Sequence, residues 1–142
     1  MKVSARNVFK GSVDAVETGA VNAEVKIVLE GGERLTAVIT AESAKTLALS
    51  AGKTVIAMIK APWVMLMTDH ADVRLSARNC LAGTVKSVHS GAVNAEVTLA
   101  LPGGTEISAI VTRESVNELG LRPGVAATAV IKASSIILGV EA

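Results

Sequence analysis

Five side chains set out the chemistry this sequence can offer: the hydroxyls of Ser4, Thr40 and Ser43, the guanidinium of Arg6 and the ammonium of Lys60. Each is a hydrogen-bond donor, and two carry positive charge. Such a set suits a small tetrahedral dianion, whose oxygens only accept and whose charge must be balanced by fixed donors. Backbone amides at Ala5, Ala61 and the run Gly19, Ala20, Val21, Asn22 extend the inventory. A short helix opening near Thr40 would add free amides and the positive end of its dipole. Catalysis finds little support. A Ser43/Lys60 nucleophile pairing is conceivable, but no nucleophile elbow and no paired carboxylates accompany it.

The whole set occurs twice. Shifting the chain by 72 residues aligns Ser4 to His70 with Ser76 to Ala142 without a gap, and about 29 of the 67 paired positions are identical. The second copy of the donors is Ser76, Ala77, Arg78, Thr112, Ser115, Lys132 and Ala133, with Gly91, Ala92, Val93 and Asn94 repeating the glycine-led segment. Neighbouring surface positions have diverged, as in Lys26 to Thr98, Arg34 to Glu106 and Lys45 to Asn117. Joint retention of scattered polar groups against that background points to a shared site. Neither histidine recurs, since His70 aligns with Ala142 and His89 with Glu17, so no metal-cation site or general base is repeated.

Some repeated residues carry two readings. Asn7 and Asn79 could be ligands or could satisfy a turn. Gly19 to Asn22 is either a tight turn or a backbone cradle for an anion, strongest where several copies meet on an axis. Glu24 and Glu96 would repel an anion, so they are expected to pair with a lysine or arginine, a subunit contact being one place for that pairing. After Lys60 and Ala61 the first repeat has Pro62 and Trp63 where the second has Ser134 and Ser135. Serine offers a further hydroxyl there, whereas proline lacks even an amide hydrogen, so the two halves are expected to differ in affinity.

The elements that must position these groups read as strands. Val21, Ala23, Val25, Ile27 and Leu29 alternate with polar residues, Gly31 and Gly32 mark a tight turn, and Leu35, Ala37 and Ile39 resume the alternation. Val8 to Glu17 is a preceding strand with a bend or bulge at Gly11, and Thr40 caps a short helix over 41–48. Thr54 to Lys60 and Trp63 to Met67 complete the repeat. That order is the order of a five-stranded OB-type barrel, so the fold class is all-β with short helices: two tandem barrels. The units run 1–68 and 73–142, joined by a short linker, 69–72.

Composition narrows the function classes. Net charge is +1 and Phe9 and Trp63 are the only aromatics, which leaves neither a basic stripe nor stacking faces for nucleic acid. No apolar run is long enough to span a bilayer, and no secretion signal is evident, so a cytoplasmic protein without a membrane partner is expected. The lone Cys80 aligns with Val8 and is expected to be a small buried side chain. Units this small commonly need oligomerisation to supplement their cores.

Taken together, Ser-Ala-Arg-Asn (4–7, 76–79), Gly-Ala-Val-Asn-Ala-Glu-Val (19–25, 91–97), Thr-x-Glu-Ser (40–43, 112–115) and Ile-Lys-Ala (59–61, 131–133) resemble the Mop domain of the molbindins. The resemblance implies a cytoplasmic protein that binds molybdate. With the repeated donor set, the expected function is non-enzymatic molybdenum storage without a cofactor, with tungstate, nearly the same size, expected to bind too. The resemblance also implies a homotrimer presenting six units, with oxyanions between units. Ser4 and Arg6 of one unit would then face Thr40, Ser43, Lys60 and Ala61 of another. Ser76, Arg78, Thr112, Ser115, Lys132 and Ala133 follow the same scheme, and Gly19 to Asn22 and Gly91 to Asn94 would lie near the threefold axis. The rival expectation is an anion-responsive module that engages a protein partner.

Overall fold

The computed structural model describes residues 1–69 and 73–142. His70, Ala71 and Asp72, most of the expected linker, lie outside them. The first repeat supplies β1 (Asn7–Thr18), β2 (Asn22–Leu29), β3 (Arg34–Thr40), α1 (Ala41–Thr46), β4 (Thr54–Ile59), a 3-10 turn (Ala61–Trp63) and β5 (Met65–Met67). The second supplies β6 (Asn79–Ser90), β7 (Asn94–Ala100), β8 (Glu106–Thr112), α2 (Arg113–Leu119), β9 (Ala126–Ile131), a 3-10 turn (Ala133–Ser135) and β10 (Ile137–Gly139).

Alternation builds each barrel wall. In β2, Ala23, Val25, Ile27 and Leu29 are buried, while Asn22, Glu24, Lys26 and Val28 face outward. β3 pairs with it antiparallel, setting Glu24 opposite Val38 and Asn22 opposite Thr40 on that outer face. The expected helix ends early: Leu47 caps α1, and Ala48 already has φ of 51°. The expected bulge lies elsewhere, between Val13 and Ala15 rather than at Gly11. Gly11 is there for lack of room, since a Cβ would sit 2.6 Å from the Val28 carbonyl oxygen.

The sheets do not follow the repeats. Their strand orders are β10-β4-β1-β2-β3 and β5-β9-β6-β7-β8, so each repeat's fifth strand completes the other repeat's sheet. Leu138 lies opposite Ala57, and Leu66 lies opposite Ala129. Buried Ile136 and Val64, at the entries to these exchanged strands, belong to one apolar core with Val25, Ile27, Ile59, Val97, Leu99 and Ile131. Burying this aliphatic surface, at about 25 cal/mol per Å², is what drives the halves together. The two 3-10 turns follow the exchange, Ala61–Trp63 packing on β8 and Ala133–Ser135 on β3.

Cys80 departs from expectation: it is exposed, its Sγ 3.8 Å from the Ala77 carbonyl oxygen. The pleat decides this, because buried Asn79 precedes it and successive side chains on β6 point to opposite faces.

Candidate functional site

The repeated polar residues gather where the two halves cross. β1 pairs with β4 in a register that sets Asn7 opposite Ile59, so Ser4, Ala5 and Arg6 run beside Lys60 and Ala61 of their own repeat. The equivalent pair Asn79 and Ile131 does the same for Ser76, Ala77 and Arg78 beside Lys132 and Ala133. Within each repeat, lysine and arginine therefore stand side by side. What faces them is the outer surface of the other repeat's third strand.

The second seam is a pocket of about 440 Å³ lined by Ser76, Ala77, Arg78, Lys132, Ala133 and Ser134, with Val38 and Met65 from the first repeat. Val38 and Ser134 also line an adjoining groove that contains Asn22, Thr40, Glu42 and Ser43. The two hollows lie side by side, sharing Val38 and Ser134 as a common wall. Together they hold the expected donors of one repeat and the helix start of the other.

At that helix start, Thr40 Oγ1 accepts from the Ser43 amide at 3.0 Å and donates to Ser43 Oγ at 2.7 Å. The cap thus occupies the threonine and leaves the Ser43 hydroxyl hydrogen free to point outward. Thr112 and Ser115 repeat the arrangement at 3.1 and 2.8 Å.

Asn7 and Asn79 leave the donor set. Both are buried, and Asn7 Nδ2 donates to the carbonyls of Ile59 (3.2 Å) and Ser108 (2.8 Å), while the Ser108 amide donates to Asn7 Oδ1 at 2.8 Å. Asn79 does the same with Ile131 (3.3 Å) and Thr36 (2.8 Å), and its Oδ1 accepts from the Thr36 amide at 2.8 Å. Each carboxamide poses as one more strand residue against the edge of the other repeat's third strand. With both carboxamide hydrogens engaged, neither asparagine side chain has a hydrogen left to donate to a ligand. They are clamps.

The glycine-led turns lose part of their cradle too. The Gly19 amide donates to the Asn22 carbonyl at 2.8 Å, and Gly91 to Asn94 at 2.7 Å. Ala20, Val21, Ala92 and Val93 are exposed at the tips, with Val21 at 73%. Asn22 lines the groove beside the second seam.

The glutamates pair as expected, across repeats within one chain. Arg78 Nη1 and Nη2 grip Glu24 at 2.7 and 2.9 Å, whereas Arg6 reaches Glu96 through one contact at 3.4 Å. The Arg78 hydrogen bonds hold the Glu24 carboxyl below its ordinary value, and the carboxylate raises Arg78 in turn. At the first seam Lys60 lies over the Trp63 ring, 5.7 Å from its centroid. The two 3-10 turns have matching entry geometry, with Lys60 at φ −67°, ψ 136° and Lys132 at −66°, 136°. The backbone is the same and the chemistry differs.

Sequence reasoning missed the apolar wall, Val38, Met65 and Leu75. No signal marked them, since Val38 looks like any outward strand position until the other repeat packs on it. Among the described residues no cluster of three or more metal-ligating side chains occurs, and no helix is long and apolar enough to cross a membrane.

The TOBE domain model matches the chain twice, over residues 3–66 and 75–138. The chain belongs to the TOBE-domain family. A crystal structure of the cytoplasmic molybdate-binding protein ModG, with molybdate bound, matches with a TM-score of 0.97 and 67% identity, over 99% of this chain and 100% of that one. Within the TOBE family this tandem chain belongs with the molbindins. The molybdenum transport protein ModE of Azotobacter vinelandii is 49% identical over 99% of the chain, and the molybdenum-pterin-binding protein MopA of Rhodobacter capsulatus is 46% identical over 97%. The TOBE chain spans about half the length of these curated relatives, 52% in both cases.

Proposed function

We propose that the chain is a non-enzymatic molybdate-binding protein of the cytoplasm, which takes the oxyanion into the clefts between its repeats and buffers it for later use. The observation that carries this reading is the convergence of Ser76, Arg78, Lys132 and Ser134 on one pocket, beside a groove that holds Thr40 and Ser43 and shares Val38 and Ser134 with it. Similarity to molybdate-bound ModG over essentially the whole chain supports it. Hydroxyls, amides and cationic side chains replace the water shell of a dianion, and tungstate, of like charge and shape, is expected to bind as well.

Discrimination against phosphate rests on the pocket of Arg78 and Lys132, whose described lining contains no carboxylate. At neutral pH phosphate carries a proton that needs an acceptor, and leaving it unpaired costs roughly 1 to 3 kcal/mol. Sulfate lacks that proton, so its exclusion rests on size. Titration calorimetry with molybdate, tungstate, sulfate and phosphate tests the reading; a flat molybdate trace ends it. The reading includes a homotrimer, supported by the exposed apolar side chains Val8, Trp63, Met65 and Ile137. Light scattering should return three times the mass of one 14.5 kDa chain.

A second reading has one observation behind it: in relatives of twice the length, including the DNA-binding transcriptional dual regulator ModE of Escherichia coli, the same region is part of a longer protein. An anion-responsive interaction module would recover a protein partner in a pull-down only with molybdate present. Recovery that ignores molybdate counts against it.

A further inference from the structure

Arg78 is held from behind. Its two terminal nitrogens grip Glu24, a residue of the other repeat that does not line the pocket Arg78 itself lines. Glu24 stands on β2, which is hydrogen-bonded on both sides, to β1 and β3. It is therefore a rigid anchor. A guanidinium has five N–H groups in a planar fork. The two-point grip uses one hydrogen on each terminal nitrogen and fixes the plane, leaving three hydrogens, including Nε–H, in a defined orientation.

Without that grip a half-exposed guanidinium on a flexible stem would have to be ordered by the anion itself, a cost that falls on affinity. The carboxylate also opposes a dianion by its charge. That opposition acts from beyond the arginine and is screened by salt, with a Debye length of about 8 Å at 0.15 M, whereas orientation is not screened.

We propose that Glu24 is a positioning residue for oxyanion capture, acting through Arg78, and that it makes the second seam the better prearranged of the two; this rests on the function proposed above. Glu96 is its weaker counterpart. It meets Arg6 at a single 3.4 Å contact, and that side chain is 61% exposed against 48% for Arg78.

The test is molybdate titration calorimetry on the intact protein at about 0.15 and about 0.5 M NaCl. Glu24→Gln is expected to weaken one class of sites about fivefold to tenfold at the higher salt and leave the other class alone, and Glu96→Gln to change binding less than twofold. A double-mutant cycle with Arg78→Lys separates positioning from support of the fold, because lysine has no fork to orient. In that background Glu24→Gln should cost no further affinity. Glu24→Gln binding as tightly as wild type, or tighter, at both salts overturns the inference. An equal loss from Glu24→Gln with and without Arg78→Lys overturns it as well. Wild type that binds no molybdate removes the functional reading itself, and a flat wild-type trace makes that failure recognisable.

Discussion

The two seams of this molecule share a backbone and differ in chemistry. Both are closed by a buried asparagine, entered through the same lysine geometry and flanked by the same threonine-serine cap. Yet one offers Ser134 and an arginine gripped at two points, and the other offers Pro62, a lysine lying over Trp63 and an arginine loosely paired. Proline fits because it stands at the start of a 3-10 turn, where φ near −65° is already required. Duplication has thus kept the frame common to both seams and let the ligand surface drift in one.

If the frame is common, breaking it should hurt both seams equally. Asn7→Ala and Asn79→Ala should each destabilise the fold by roughly 2 to 5 kcal/mol, because each leaves an amide and a carbonyl of the opposing strand without partners. Urea unfolding of both variants checks this; a large inequality would show that the clamps are not equivalent.

The next effect falls on ligand alone. Lys60→Ala and Lys132→Ala, both on exposed side chains, should leave the melting temperature within a degree or two and weaken molybdate binding. Each removes a charge-assisted donor worth about 1.5 to 3 kcal/mol, so roughly tenfold to a hundredfold at its own seam. Calorimetry that shows neither loss would discard the site assignment.

Grafting one seam onto the other sharpens the comparison. Ser134→Pro removes a hydroxyl and an amide hydrogen without disturbing a turn that already accepts proline in the first repeat. Affinity at the second seam should fall by about 1 kcal/mol, roughly fivefold, toward that of the first. Smaller still, Trp63→Ser frees Lys60 from the ring, a change of about 0.5 to 1 kcal/mol that molybdate titration should place at the first seam alone.

Acid should distinguish the seams last. Glu24 is held below its ordinary value of 4.5, so the stability it adds is full above that value and is lost as pH falls through the lowered one. Arg78 is raised above an ordinary value that is already high, so its contribution is full throughout the acid and neutral range. The melting-temperature difference between wild type and Glu24→Gln should therefore be flat from pH 5 to 8 and close as the pH drops below the ordinary carboxylate range. A difference that closes above pH 6 would contradict the Arg78 hydrogen bonds as its cause.

Residue order alone determined the duplication, the strand alternation, the turns and the donor set, because these are local or rest on identity between two copies. Val21 to Leu29 had to be a strand with one apolar face whatever it packed on, and Thr40 had to cap a helix. Tertiary structure decided which half each fifth strand completes, since Met65–Met67 and Ile137–Gly139 are short enough to pair with either sheet. It decided that Asn7 and Asn79 are clamps, because a carboxamide becomes a strand mimic only when a foreign strand edge lies within hydrogen-bonding reach. It also decided that Lys132 stands beside Arg78 while Glu24 grips that arginine from the other repeat, a relation between residues 54 apart that no periodicity encodes. Local pattern fixes faces and caps; the exchange of strands fixes which faces meet.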